Sequence, residues 1–323
     1  MLAIQATRTG GPDVLEVVNL PIPRPGPDQI LVRHEAIGLN FIDTYHRSGL
    51  YPVQMPAVLG QEGAGIVEAI GDTVTRFRVG DRVAYGTGPV GAYAELHLIP
   101  ADRAVRVPED ISLQTAAAIM LKGMTAEFLL RRCYPVLSGQ TILIHAAAGG
   151  VGSILCQWAK SLGVRVIGAV GSDTKAEYAK ANGCEHVILY KQEDVVSRVV
   201  QITGGHGVPV VYDGVGFATF EASLASLSRR GMLVSFGAAS GPVPAIEPSR
   251  LARSGSLFLT RPTLFDYVTS TAELDSSASA LFDVVRTGAV KVHIGQTFPL
   301  AQTRSAHEAL EARQTSGSTL LIP

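Results

Sequence analysis

The chain has 323 residues, 46% of them hydrophobic and 17% charged, and a formal net charge of −1. That is enough apolar material for two domains and excludes a disordered chain, while the near-zero charge gives no field for steering nucleic acid or an anionic membrane. Cys133, Cys156 and Cys184 lie far apart with no Cys-x-x-Cys pair, so neither a disulfide framework nor a zinc site is indicated; no signal-peptide pattern and no apolar run of ~20 residues is present, and a cytoplasmic protein is expected.

Residues 1 to about 120 carry short strand-like stretches: Ala3 to Thr7, Leu15 to Leu20, Gln29 to Leu39, Ala64 to Ile70, Arg82 to Tyr85 and Ala92 to Ile99. Gly and Pro punctuate them, most densely in Pro21 to Pro27. Even spacing of short strands predicts a compact β-rich domain. A helical pattern follows Ser112 and runs through Ala116 to Leu121, and a second helix is expected from Thr125 to Arg132.

Thr141 to Gly171 reads as a βαβ unit. Ile142-Leu143-Ile144 is a short apolar strand, and Ala146 to Gly152 is a loop of small residues. Ile154, Leu155, Trp158, Ala159 and Leu162 then recur at helical spacing, Gly163 ends the helix, and Val164 to Val170 forms the next strand. The loop fits the dinucleotide fingerprint with Ala147 in the first glycine position and Gly149 and Gly152 in the second and third. Ala148, Gly149, Gly150 and Val151 are therefore expected to bind the cofactor, with the pyrophosphate at the helix N-terminus.

The end of the second strand selects the cofactor. An NAD site places Asp or Glu there to hold the ribose 2′-hydroxyl. Here the strand ends Val170-Gly171-Ser172, and Lys175 follows. A 2′-phosphate needs a cation and hydrogen-bond donors, which Ser172, Lys175 and Tyr190 supply beside Gly171. Asp173 is the one carboxylate nearby and is expected to act as an N-cap pointing away. NADPH is expected over NADH.

The alternation continues. Helices are expected at Lys175 to Asn182, Glu193 to Thr203 and Phe217 to Ser228. Strands are expected at His186 to Leu189, Val208 to Tyr212, Met232 to Phe236 and Ser256 to Thr260. Six strands make a complete doubly wound sheet, so the fold class is α/β. Leu274 to Arg286 is an amphipathic helix, and Gln296 to Pro323 reads as strand, helix, strand that returns to the first domain. The expected domains are 1–121, 122–262 and a return segment 263–323 that completes the first.

The chain resembles the medium-chain dehydrogenase/reductase superfamily, and within it the zinc-free quinone oxidoreductases related to ζ-crystallin. The resemblance covers the whole chain. It is carried by Gly10 to Leu15, Gly38 to Tyr45, Arg47 to Pro52, Gly80 to Val83, Ala146 to Gly152, Val211 to Asp213 and Arg230 to Gly237. It implies a GroES-like β-barrel catalytic domain beside a Rossmann domain, with the active site in the cleft between them. Zinc-dependent relatives carry Gly-His-Glu where this chain has Gly60-Gln61-Glu62, and their first zinc-binding Cys would fall near Asn40. Gln61 is a poor zinc ligand, so no metal is expected.

Without a Lewis acid, ordinary alcohol oxidation is disfavoured, and a quinone or an activated alkene becomes the expected hydride acceptor. The resemblance implies that Asn40, Tyr45 and Tyr51 line the acceptor site. It implies that Lys122 and Thr125 border the nicotinamide ribose, and that Phe236, Gly237 and Ala238 approach the nicotinamide. Thr260 and Arg261 end the last strand beside the same ring, and Arg313 lies in a segment that reaches the cofactor. The expected activity is NADPH:quinone reduction, with reduction of α,β-unsaturated carbonyls as the alternative. Some relatives bind AU-rich RNA, but the charge and an aromatic content of 6% argue against RNA as the main role. Relatives also imply a homodimer through the outer Rossmann strand, here Ser256 to Thr260, an apolar edge prone to association.

Overall fold

A computed structural model describes residues 1–323. The chain divides into two compact units. One comprises Met1–Met124, Tyr267–Arg286 and Val292–Pro323; the other comprises Thr125–Asp266 and Thr287–Lys291. The expectation of an α/β chain with a β-rich first part and a doubly wound second part holds.

In the first unit, Gln29–Leu39 is the central strand, 11 residues long and largely buried. It pairs antiparallel with Glu62–Ile70, Leu96–Pro100 and Ser318–Ile322, so the C-terminal strand does return to the first sheet. The order runs from Ile294–Pro299 through Ser318–Ile322, Gln29–Leu39, Glu62–Ile70 and Arg82–Tyr85 to Val105–Arg106. No ladder joins the two ends of that order. Ile30, Val32, Ile37, Val67, Val83, Tyr85 and Tyr93 fill the core, helped by Leu300, Ala306 and Leu321 from the return segment.

The second unit is a six-stranded parallel sheet. Its order is Cys184–Leu189, Arg165–Val170, Thr141–His145, Val208–Asp213, Leu227–Ser235 and Phe258–Thr260. Chain order reverses between Thr141–His145 and Val208–Asp213, and ligands bind outside the carboxyl ends of strands at such a reversal. Leu143, Ile167, Ile188, Val211 and Leu233 are buried on these strands, matching their near-continuous apolar sequences.

Several boundaries differ from the sequence reading. Ser112 starts one helix, Leu113–Phe128, not two, and Leu129–Cys133 continues it as a π turn. Gly123 within it packs closely, since a Cβ there would lie 2.3 Å from Leu281 Cδ1 and that side chain would have to move, so the glycine marks close packing and not a break. A helix at Phe41–Ser48 was not expected. The strand expected from Ala92 begins only at Leu96, because Ala92 and Tyr93 donate their N–H groups to Gly60 and Leu59. The helix expected from Phe217 to Ser228 spans only Phe220–Ala225, and the following strand starts at Leu227.

Candidate active site

In the second unit, the fingerprint loop leaves strand Thr141–His145 with Ala146 in the left-handed region at φ 51°. Gly149 donates its N–H to the Ala146 carbonyl at 2.9 Å and caps helix Gly150–Ser161. The first helical bond is Ser153 N–H to the Gly149 carbonyl at 2.9 Å, which leaves the N–H groups ahead of it for a ligand. Gly152 is dictated by the protein itself, since a Cβ would lie 2.2 Å from the Ala146 carbonyl oxygen. At Gly149 a Cβ would meet only that oxygen, at 3.2 Å.

The structure places Tyr190 beside Gly171, and Ser172 at the start of the helix that carries Lys175. Tyr190 lies against the end of the second strand, where a Cβ on Gly171 would sit 2.5 Å from the phenol oxygen. Ser172 caps helix Asp173–Ala181, accepting the Lys175 N–H at 3.4 Å. The cap is therefore Ser172 and not Asp173, which occupies the first helical position. Gly171, Ser172 and Tyr190 carry no carboxylate, and Asp173 follows Ser172 in the first helical turn.

Asp213 organises the next loop. Its buried carboxylate accepts Val215 N–H at 2.8 Å, Gly216 N–H at 3.1 Å and the hydroxyls of Thr219 and Ser223 at 2.7 Å. Phe236 N–H donates to the Asp213 carbonyl at 2.9 Å, and a Cβ on Gly237 would lie 2.4 Å from the Gly214 carbonyl oxygen. Phe236, Gly237 and Ala238 thus follow directly from the carboxyl end of strand Leu227–Ser235, at the ligand-binding edge of the sheet. Thr260 ends its strand, and Arg261 donates to the Pro262 carbonyl at 3.3 Å. Thr125 is buried. Arg313 belongs to the first unit, where it follows helix Thr303–Glu311 at φ 58°, a left-handed helix stop.

In the first unit Asn40 and Lys122 belong to a buried polar cluster around Glu62. Asn40 caps helix Phe41–Ser48, and its N–H donates to Asp43 Oδ2 at 2.9 Å. The Asn40 side-chain amide donates to Glu62 Oε2 at 2.9 Å and to the Gly38 carbonyl at 3.3 Å. Lys122 Nζ meets the same Glu62 oxygen at 2.6 Å, and Leu121 N–H donates to Glu62 Oε1 at 2.7 Å. Both amide protons of Asn40 are consumed, so it can offer an acceptor its carbonyl oxygen but no donor. Tyr45 and Tyr51 meet edge to face at 5.2 Å between centroids, with Tyr45 buried and Tyr51 half-buried.

Glu62, Asp43, Tyr93 and His307 were missed by the sequence reading. Tyr93 donates its hydroxyl to Asp43 Oδ2 at 2.8 Å and lies 3.0 Å from His307 Nε2. Burial pushes Asp43 up to about 7, against the opposing pull of the Tyr93 and Asn40 hydrogen bonds and the Lys122 charge. Gln61 is buried and donates to the Gly88 carbonyl at 2.6 Å, so its amide serves the loop. No group of three or more His, Cys, Asp or Glu side chains comes together as a metal site.

Residues 26–109 match the alcohol dehydrogenase GroES-like domain family, and residues 150–282 match the zinc-binding dehydrogenase family. The chain is 51% identical to a quinone oxidoreductase of Pseudomonas aeruginosa over 99% of both chains. It is 43% identical to a 2-haloacrylate reductase of a Burkholderia species over 100% of this chain and 99% of that one. A crystal structure of Escherichia coli quinone oxidoreductase complexed with NADPH superposes with a TM-score of 0.99 at 47% identity, covering 100% of each chain. With this identity over the full length and both domain families present, the chain belongs to the quinone oxidoreductases of the medium-chain dehydrogenase/reductase superfamily.

Proposed function

We propose that the protein is an NADPH-dependent quinone reductase that works without a metal. What supports the reading is the end of strand Arg165–Val170, where the Tyr190 phenol lies against Gly171 and Ser172 caps the helix that carries Lys175. The related quinone oxidoreductases, one of them crystallised with NADPH, support it.

NADPH, when bound, supplies the hydride. The chain holds the pyrophosphate on the free N–H groups ahead of helix Gly150–Ser161, where the helix dipole favours an anion. Ser172, Lys175 and Tyr190 hold the 2′-phosphate. The backbone of Phe236, Gly237 and Ala238 orients the nicotinamide amide, with Thr125, Thr260 and Arg261 as further contacts. Tyr45 and Tyr51 present an aromatic wall to a flat acceptor, which stacks on or edges against it. Positioning of donor and acceptor and exclusion of water then provide the rate, since a quinone needs little electrophilic help.

The charge-assisted phosphate contact is worth roughly 1.5–3 kcal/mol. Lys175→Ala is therefore expected to raise the KM for NADPH about 10- to 100-fold, with the KM for NADH barely changed. The maximal rate at saturating NADPH stays near wild type, because the contact is equal in ground and transition states. Steady-state kinetics with both cofactors checks this; an unchanged NADPH:NADH preference removes Lys175 from the site.

A second reading, reduction of α,β-unsaturated carbonyl compounds, is favoured by the relationship to the 2-haloacrylate reductase. Parallel rates with a quinone panel and an enone panel separate the two. We also propose a homodimer. Phe258–Thr260 is the outer strand, paired on one side only, and Phe258 is 55% exposed on it. Light scattering at micromolar concentration should give twice the chain mass, and Phe258→Lys should shift it toward the monomer. A wild-type monomer overturns the assignment.

A further inference from the structure

Cys156 and Cys184 stand 28 positions apart in the sequence, and the fold brings their sulfurs to 3.5 Å. Cys156 lies in helix Gly150–Ser161, which follows the fingerprint loop, and Cys184 opens strand Cys184–Leu189. The backbones approach as well as the side chains. A Cβ on Gly183 would lie 2.8 Å from the Cys156 carbonyl oxygen and 3.3 Å from Gln157 Cα. Both cysteines are free thiols, with Cys184 donating to Cys156 and Cys156 Sγ lying 3.9 Å from the Ala147 carbonyl oxygen. To bond, the sulfurs would have to close by about 1.5 Å.

The pair is packed against the cofactor loop. Ala147 holds the first position of the fingerprint, and a Cβ on Gly168 would meet both Cys184 Sγ, at 2.5 Å, and Ala147 Cβ, at 2.9 Å. Cys184 also follows helix Asp173–Ala181, which carries Lys175, through the turn at Asn182 and Gly183. Movement of the two sulfurs is therefore felt at both helices that the proposed function places at the cofactor's phosphates. Access is through Cys184. Its strand is an edge of the sheet, and the pairing slips by one residue just past it, with Val166 facing Cys184 and Ile167 facing His186. Edge residues at such a bulge open at low cost, and Cys184 is already 6% exposed where Cys156 is 0%.

We propose that Cys156 and Cys184 form a redox-sensitive dithiol, and that its closure to a disulfide by a peroxide weakens NADPH binding. The proposal rests on NADPH as the cofactor and not on the identity of the acceptor. The contact with Cys184, and then burial, raise the Cys156 thiol well above its ordinary range, so Cys184 reacts first. Local opening lets Cys184 lose its proton to water. Its thiolate attacks one peroxide oxygen, the O–O bond breaks, and the departing hydroxide takes up that proton as water, leaving a sulfenic acid on Cys184. The Cys156 sulfur then attacks the Cys184 sulfur, the S–O bond breaks, and the second hydroxide leaves with the Cys156 proton. The sum is 2 RSH + H₂O₂ → RSSR + 2 H₂O, in which the thiols are oxidised and the peroxide is reduced. The disulfide takes the Cys156 S–H away from the Ala147 carbonyl and draws the fingerprint helix toward the edge strand. The N–H groups ahead of that helix then no longer meet the pyrophosphate at hydrogen-bond length.

The test uses the full chain carrying Cys133→Ser, which leaves only this pair of thiols. Hydrogen peroxide should remove both thiols titrated after denaturation, and the intact mass should fall by about 2 Da for the hydrogens lost. NADPH affinity, read by fluorescence titration with no quinone present, should drop about tenfold and return on treatment with dithiothreitol. Adding Cys184→Ser should abolish the effect of peroxide on affinity. Thiols that survive peroxide, a mass that rises by added oxygen, a disulfide with unchanged NADPH affinity, or an equal loss of affinity in the Cys184→Ser protein overturns the proposal. Should Cys184→Ser not fold, the recovery with dithiothreitol decides alone. Reduced protein that binds no NADPH defeats the cofactor assignment instead, while the thiol count and the mass still report on the pair.

Discussion

Replacing Glu62 with Gln is expected to destabilise the protein by about 3–5 kcal/mol, the cost of removing one partner from a buried ion pair. Glu62 is 0% exposed and Lys122 4%. The carboxylate accepts three hydrogen bonds, from Lys122 Nζ, the Asn40 amide and the Leu121 N–H, with Oε2 shared between the first two. A Gln in its place presents one oxygen and two N–H groups to a site that has only donors. Lys122 is left charged in the core without a counter-charge, and one of the amide donors faces another donor. The urea midpoint should fall at constant slope. Adding Lys122→Met to Glu62→Gln should recover much of the loss, because the uncompensated charge is then gone. A midpoint shift below about 1 kcal/mol, within the range of exposed pairs, would mean that water reaches the cluster.

The parts of this molecule that were legible in the sequence are those governed by local rules. Ala146 to Gly152 could be read as a tight strand-to-helix turn because its requirements are set within a few residues, Gly152 being imposed by the Ala146 carbonyl. Ser172 and Lys175 are neighbours in one helix turn, and Tyr190 follows the next strand in register, so the three could be grouped from strand ends alone. The helix Phe41–Ser48 escaped because its inward face is not apolar. Asp43, Thr44, His46 and Arg47 are all buried, so the apolar period that marks a helix is missing. The one local signal was a capping pattern, Asn40 with Asp43 three residues later.

The buried polar pairs were illegible for another reason. Glu62 meets Lys122 across 60 positions, and Arg47 meets His307 across 260. A lone histidine in a helix near the C-terminus gives no sign that it will reach the N-cap region of another helix through Tyr93. The same holds for His34 and His97, which a sequence reading takes for scattered histidines. In the fold they lie on neighbouring strands on either side of Tyr85, with contacts of 2.6 and 3.0 Å to its hydroxyl. What tertiary structure adds here is the pairing of polar groups, which no periodicity encodes.

That pairing predicts a steep loss of stability in acid. His34 is lowered to about 4, and His97 and His307 to about 3, each chiefly by burial. An unfolded histidine titrates near 6.5, so these folded values are depressed; for a base, the unfolded chain takes up the proton first as pH falls. The stabilisation by the neutral, hydrogen-bonded rings is complete above about pH 6.5 and drains away as pH falls toward 3–4. Asp43 works in the opposite direction. Its folded value, about 7, lies above the unfolded one, so its contribution is present below about pH 4 and lost as pH rises through 7. Around pH 5 unfolding therefore binds three protons at the histidines and releases one at Asp43. The balance of two tilts stability by about 2.8 kcal/mol per pH unit from these groups alone. His97→Asn keeps a polar atom near the Nδ1 position facing Tyr85 but cannot titrate. It should reduce the measured slope between pH 6 and 4.5 by about 1.4 kcal/mol per unit. Urea midpoints across that range, for wild type and variant side by side, measure the difference and cancel the exposed carboxylates common to both. Equal slopes would mean that His97 is already charged in the folded protein at pH 5, and the neutral His34–Tyr85–His97 arrangement would have to be abandoned.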